Sequence, residues 1–171
     1  IKGRCFHRCL SLTEISIPQS VTSIEDYAFA NCISLKEINI PPSIVSLGNF
    51  VFYNCISLKN ISLPSTITTL NRGLFQNCIS LETIDGFFSI LNSKCFSGCK
   101  SLKRINNQSA IKKIHKFVFK KCYSLKEIPK FEGIKKIPQS AFEKCCLFES
   151  FTIPSSVTTI GERAFCNCSS L

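Results

Sequence analysis

Residues 32–54 read CISLKEINIPPSIVSLGNFVFYN, and the following 23 residues repeat this pattern from Cys55 onward. A cysteine returns at the same phase along the whole chain, with a phenylalanine three residues before each one. These column cysteines are Cys9, Cys32, Cys55, Cys78, Cys99, Cys122, Cys145 and Cys168. Neighbours lie 23 residues apart, except that 21 separate Cys78 from Cys99. A fixed period of this length indicates a repeat architecture.

The other apolar residues keep the phase of the cysteines. In the full-length units, apolar residues follow each cysteine after three, six, twelve and fifteen residues. After Cys32 these are Leu35, Ile38, Ile44 and Leu47. A residue that recurs only every 23 positions does not form an amphipathic helix, whose apolar positions recur every three or four residues. The columns therefore predict a solenoid, in which each coil stacks its apolar residues on those of the next.

Within each unit, the L-x-x-I-x-I segment has the alternation of a short strand. Proline follows it at Pro18, Pro41, Pro64 and Pro154, where it ends the strand because it cannot donate to a ladder. We expect these strands to stack into a parallel sheet and the A-F-x-x-C segment to return the chain through a turn or a short 3₁₀ or α piece. The two-residue deletion falls at 85–88, where DGFF replaces the usual Ile-Pro turn.

The composition suits one folded repeat domain, since 44% of the 171 residues are hydrophobic and 19% are charged. We predict a single domain over 1–171 with about seven units. The chain contains no methionine, so we expect it to be a fragment of a longer array. No apolar run approaches the roughly 20 residues that cross a bilayer. The N-terminal residues also lack the order of a signal peptide.

The last unit, IPSSVTTIGERAFCNCSSL at 153–171, resembles the repeat of BspA-like (Treponema-type) leucine-rich repeat proteins. The resemblance covers the whole chain. It implies a leucine-rich repeat solenoid with a parallel β-sheet on the concave face and short strand, turn or 3₁₀ segments on the convex side. It also implies a surface or secreted protein, since relatives in bacteria and parasitic protists include adhesins for host matrix or plasma proteins such as fibronectin and fibrinogen.

Twelve cysteines invite a disulfide interpretation. A cysteine column in phase with phenylalanine and leucine columns is instead expected to face inward as free thiols that act as small hydrophobes. Stacked coils bring neighbouring Cα atoms within disulfide range, so distance alone leaves both alternatives open. Four further cysteines lie outside the column. Cys5 and Cys95 take a slot that holds alanine elsewhere, whereas Cys146 and Cys166 are less constrained and open to oxidation.

No catalytic, metal or cofactor site is predicted. Cys5, His7 and Cys9 lie close together, but no paired C-x-x-C spacing supplies the four ligands of a structural zinc site. His115 lies in a turn slot without an acidic or nucleophilic partner pattern, and we expect it to be exposed. No glycine-rich phosphate loop is present. We therefore predict a non-enzymatic protein without a small-molecule substrate.

The net charge of +10 is concentrated in residues 94–144, which hold fourteen basic and three acidic residues. The repeat places several of these lysines side by side on neighbouring coils. They are Lys112, Lys113, Lys120, Lys121, Lys135, Lys136 and Lys144. Such a field attracts polyanions, although it is also consistent with a solvated lysine-rich face. No aromatic residues interleave regularly with the lysines as a base-stacking platform requires, so sulfated glycans or acidic proteins rank above nucleic acid.

The outward positions of the predicted strands offer a second surface, with Glu37, Asn39, Arg104 and Asn106 as candidate contact residues. Our leading hypothesis is a surface or secreted scaffold for adhesion and protein binding. The alternatives are an intracellular (cytoplasmic) interaction scaffold with reduced thiols and a polyanion-binding module. The sequons at Asn60, Asn107 and Asn167 matter only in a secretory pathway that glycosylates proteins.

Overall fold

The computed structural model describes all residues, 1–171, as a solenoid in which each unit forms one coil. It contains ten short strands and no helix. The strands are β1 (Ser23–Ile24), β2 (Ser46–Leu47), β3 (Asn60–Ser62), β4 (Thr69–Leu70), β5 (Thr83–Gly86), β6 (Ile90–Leu91), β7 (Arg104–Asn107), β8 (Lys113–Ile114), β9 (Lys136–Ile137) and β10 (Thr159–Ile160). Every strand pair is parallel and joins neighbouring coils. The predicted parallel solenoid is thus confirmed.

The strands lie in two rows along the rod. The first row, which we call the strand face, consists of β3, β5 and β7 in the L-x-x-I-x-I segments, with a single bridge between Ser16 and Asn39 in earlier coils. The second row contains β1, β2, β4, β6, β8, β9 and β10. This second row is interrupted twice, because β2 does not pair with β4 and β8 does not pair with β9.

The A-F-x-x-C segment consists of successive turns whose amide groups alternate between two kinds of hydrogen bond. The amide of Asn31 donates to the Tyr53 carbonyl of the next coil at 2.7 Å. The amide of Cys32 closes a turn onto the Phe29 carbonyl at 3.2 Å. This alternation satisfies the backbone without a helix and ties each coil to its neighbour.

Two positions of every coil have left-handed backbone. One directly precedes the column cysteine and holds Arg8, Asn31, Asn54, Asn77, Gly98, Lys121, Lys144 and Asn167. The other lies two residues before the column phenylalanine and holds Arg4, Tyr27, Phe50, Gly73, Lys94, Phe117, Ser140 and Arg163. Asparagine tolerates this region better than most residues, which accounts for its four occurrences before a cysteine.

The phenylalanine column forms a continuous stack of rings from Phe6 to Phe165. Neighbouring ring centroids lie 5.1–5.8 Å apart, and the ring planes are within 21° of parallel. The six inner rings are fully buried, whereas Phe6 and Phe165 in the terminal coils are half-buried. Because each ring contacts the rings before and after it, the column holds the coils together along the axis.

The shortened coil closes around Phe88, which is fully buried. A Cβ atom on Gly86 would lie 2.8 Å from the Phe88 ring, so glycine leaves the space that this ring occupies. From the next coil, the Asn107 side chain accepts a hydrogen bond from the Phe88 amide at 2.9 Å and donates one to the Phe88 carbonyl at 2.7 Å. Asn107 thereby replaces backbone pairing that the deletion removes.

Candidate functional site

The column cysteines form a ladder of thiol hydrogen bonds. From Cys32 to Cys168, each Sγ donates to the carbonyl of the column phenylalanine one coil earlier, over 3.0–3.3 Å. All twelve cysteines are free. Burial raises the pKa of Cys32 to about 11 and that of Cys78 well above the usual thiol range. The buried cysteines of the column are therefore neutral, poorly reactive thiols that pack and donate hydrogen bonds.

The cysteines outside the column differ in exposure. Cys95 is buried in the slot that alanine fills elsewhere, as expected. Cys5 occupies the same slot but is exposed, because its coil is the first and no earlier coil covers it. Cys166 is exposed and Cys146 is half-buried. These differences make Cys5 and Cys166 the most accessible thiols of the chain.

Neither histidine lies among other ligands or acids. His7 Nε2 is 3.1 Å from the Asn31 side-chain amide, and no three His, Cys, Asp or Glu side chains converge. His115 is half-buried, in contrast to the exposed position expected from the sequence. Burial, and then the charge of Lys113, lower the pKa of His115, so the ring is neutral at pH 7.

The strand face presents its polar side chains in register. Across β3, β5 and β7, Asn60 lies opposite Thr83, and Thr83 lies opposite Arg104. The Thr83 hydroxyl donates to Asn60 Oδ1 at 2.6 Å, and the Asn106 amide donates to Asp85 Oδ1 at 2.8 Å. These bonds order the outward side chains along the rod.

The candidate contact residues of this face fall into two groups. Glu37 and Asn39 line one open depression of about 630 Å³ together with Glu14. Arg104 and Asn106 lie on β7, three coils further along the chain. All four are exposed. They therefore belong to one face but not to one pocket.

Four of the predicted lysines meet at the second interruption of the second row. Lys112 and Lys113 on one side, and Lys135 and Lys136 on the other, line an open cleft of about 450 Å³. Lys113 pairs with Ile90 of β6, and Lys136 pairs with Thr159 of β10, but β8 and β9 do not pair with each other. The like charges thus face each other where the ladder is open.

The remaining predicted lysines lie on the turns. Lys120 and Lys121 line a smaller depression of about 340 Å³. Lys120 also forms an ion pair with Glu143 at 2.9 Å. Burial opposes ionisation of Glu143, but the neighbouring Lys120 ammonium and Ser140 outweigh it and hold the pKa of Glu143 below its usual value. Lys144 follows Lys121 one coil later, is half-buried and lines neither depression.

Sequence reasoning missed an aromatic residue among these lysines. The Nζ atoms of Lys94, Lys116 and Lys120 lie 5.9, 5.9 and 5.5 Å from the Phe117 ring centroid. Lys94 and Phe117 occupy the same left-handed position in neighbouring coils, which brings them together. Their equal phase was visible in the sequence, but their left-handed backbone was not. The structure therefore joins cations and an aromatic ring on this side of the rod.

Comparison with known families identifies the repeat. The chain matches the BspA type leucine rich repeat region in six copies, over residues 1–90 and 83–171. The chain belongs to the BspA-type leucine-rich repeat family. The resemblance seen in the sequence is thus confirmed, and this BspA-type chain is a leucine-rich repeat scaffold.

Solved structures support the assignment. A leucine-rich repeat protein from Eubacterium ventriosum has 29% identity and a TM-score of 0.77, with 92% of this chain and 43% of that chain covered. A leucine rich cell surface protein from Faecalibacterium prausnitzii has 27% identity and a TM-score of 0.77, with 93% and 46% covered. The T. pallidum leucine-rich repeat protein has 26% identity and a TM-score of 0.62, with 100% and 70% covered.

The BspA-type chain spans less than half the length of the first and second of these proteins. No curated protein matches it. The structure also contains no helix with the length and apolar character needed to cross a membrane.

Proposed function

We propose that the BspA-type chain is a non-enzymatic scaffold, displayed on a cell surface or secreted, that binds a protein ligand through the strand face. The main support for this proposal is the alternation of buried and exposed residues along the strands of the strand face. In β3, Ile61 is buried while Asn60 and Ser62 on either side are exposed. The buried columns specify the fold, so the exposed positions are free to specify a partner.

The charge of the strand face changes along the rod. At the outward position two residues after the column leucine, Glu14 and Glu37 are exposed in the first two coils, whereas Arg104 is exposed on β7. A ligand with the complementary order of charges binds this face in one orientation. The family expectation of a host matrix or plasma protein, such as fibronectin or fibrinogen, supplies the first ligands to test.

Reversing both ends of this charge pattern tests the proposal. We expect Glu37→Lys combined with Arg104→Glu to weaken binding of a captured matrix or plasma protein at least about tenfold, since like charges then face each other. Glu162→Lys combined with Arg72→Glu is the matched control, because both exposed residues lie on the turns. Binding is measured by biolayer interferometry on immobilised fibronectin and fibrinogen. An equal loss in the control, or no binding by the unaltered chain, would contradict the proposal.

Surface display requires a separate test, because the reduced column thiols also suit an intracellular scaffold. Antibodies against the exposed turns are applied to intact and permeabilised cells of the source organism. Staining of intact cells supports display. Staining that requires permeabilisation, without protein in the medium, supports the intracellular alternative.

A further inference from the structure

We propose that the lysines of the second row and its adjoining turns form one binding site for a sulfated polysaccharide. We call the six lysines that carry it the basic band: Lys94, Lys112, Lys113, Lys116, Lys135 and Lys136. This site lies outside the strand face and does not depend on the protein-binding proposal. It rests on three observations. The lysines form a continuous surface, no salt bridge neutralises their charge, and the strand ladder is open between β8 and β9.

Lys116 makes the band continuous. It lines the cleft between β8 and β9, and its Nζ atom lies 5.9 Å from the Phe117 ring centroid. Lys94 approaches the same ring from the preceding coil at 5.9 Å. Lys121 lines the depression beyond that ring. One linear ligand can therefore contact the cleft and the turn side at the same time.

The charge of the basic band is not neutralised within the protein. The four salt bridges of the structure involve Lys2, Lys103, Lys120 and Arg163, so none includes a lysine of the band. No Asp or Glu lines the cleft or the depression beside Phe117. A cluster of unpaired cations concentrates polyanions at its surface.

The cleft between β8 and β9 can hold an anionic group between the two lysine pairs. Parallel ladders hold β6 to β8 and β9 to β10, but no pairing crosses from β8 to β9. The amides of Gly48, His115 and Gly161 each donate to the preceding coil, but Pro138 takes the equivalent position here and has no amide to donate. Lys112 and Lys113 face Lys135 and Lys136 across this gap, and their like charges repel. An anionic group held between the two pairs removes this repulsion. Binding is thus expected to stabilise the fold.

The surroundings of Phe117 favour a sulfated glycan over nucleic acid. Three ammonium groups lie within 5.9 Å of the ring centroid, so they compete with a base for its faces. Every cation of the band is lysine, a point charge without the planar fork with which arginine recognises phosphate and bases. A polymer with closely spaced sulfates engages several such charges at once.

Heparin is the probe for this proposal, and salt-dependent binding is the measurement. We expect the unaltered chain to bind heparin and to elute from it as salt rises, because each lysine contact releases counterions. The variant Lys112→Gln, Lys113→Gln, Lys135→Gln, Lys136→Gln is expected to lose affinity on the order of 1,000-fold. Heparin is also expected to raise the Tm of the unaltered chain and not that of the variant.

A control variant separates the band from net charge. Lys36→Gln, Lys59→Gln, Lys100→Gln, Lys126→Gln removes the same charge from four exposed lysines that form no salt bridge and lie outside the band. Its affinity is expected to fall less than tenfold. No retention at low salt, or equal loss in both variants, would overturn the proposal. Tighter binding of single-stranded DNA of equal charge would overturn the ligand class.

Discussion

Replacing Phe52 with alanine is expected to lower the free energy of unfolding by about 3–5 kcal/mol, the range for truncation of a fully buried aromatic residue. Phe52 is fully buried between Phe29 and Phe75, with ring centroids 5.8 and 5.5 Å away. The substitution leaves a cavity and interrupts the stack in both directions. Phe119→Ala is expected to have the same effect, because this ring is equally buried between Phe96 and Phe142.

Denaturant unfolding followed by circular dichroism measures this effect, since the chain has no tryptophan. Phe87→Ala is the matched control, because Phe87 is 38% exposed and lies outside the ring stack. It is expected to cost about 1 kcal/mol or less. An unchanged free energy of unfolding for Phe52→Ala would place the phenylalanine column outside the core. An equal loss in the Phe87→Ala control would show that the cost is not specific to the ring stack.

Asn107→Ala is expected to cost about 2–4 kcal/mol. Its side chain satisfies both the amide and the carbonyl of buried Phe88, and loss of a partner for a buried polar group costs about 1–3 kcal/mol. The same denaturant measurement applies. Asn107 is also a sequon residue, and its amide nitrogen is engaged with the carbonyls of Phe88 and Ser109.

Asn106→Ala is the control for this change. Asn106 is adjacent in the chain but exposed, and its side chain bonds only the Asp85 carboxylate on the strand face. Its loss is expected to cost about 0.5 kcal/mol. If both substitutions cost the same, the Asn107 side chain does not close the shortened coil.

Much of the fold follows from the sequence because the apolar columns have a single period. Phe29, Cys32 and Leu35 recur at the same phase and are fully buried together. The strand at β3 was predicted from alternation alone. The second row was less predictable, since β8 and β9 contain only two residues each. The break between β8 and β9 falls at Pro138, which has no amide to donate to the preceding coil.

The candidate sites were predictable in part. The stacking of Lys112 and Lys113 beside Lys135 and Lys136 follows from their equal phase. The cations around Phe117 were not predicted, because their approach depends on left-handed backbone at Lys94 and Phe117. The hydrogen bonds of Asn107 to Phe88 could not be predicted from the repeat pattern, since they compensate for a deletion in another coil. Hydrogen bonds that join different columns leave no periodic signal.

If the apolar columns face inward along the whole rod, their cysteines are protected in the native protein, and thiol alkylation counted by mass spectrometry measures this protection. In the native protein, we expect exposed Cys5 and Cys166 to react fast and half-buried Cys9, Cys146 and Cys168 to react slowly. The seven buried cysteines are expected to be protected. They are Cys32, Cys55, Cys78, Cys95, Cys99, Cys122 and Cys145.

After denaturation without reductant, all twelve thiols are expected to react. Protection of the buried thiols in the native state and complete labelling in the denatured state are the expected results. Column cysteines that react in the native protein as fast as Cys5, or remain blocked after denaturation, would contradict the inward orientation of the columns.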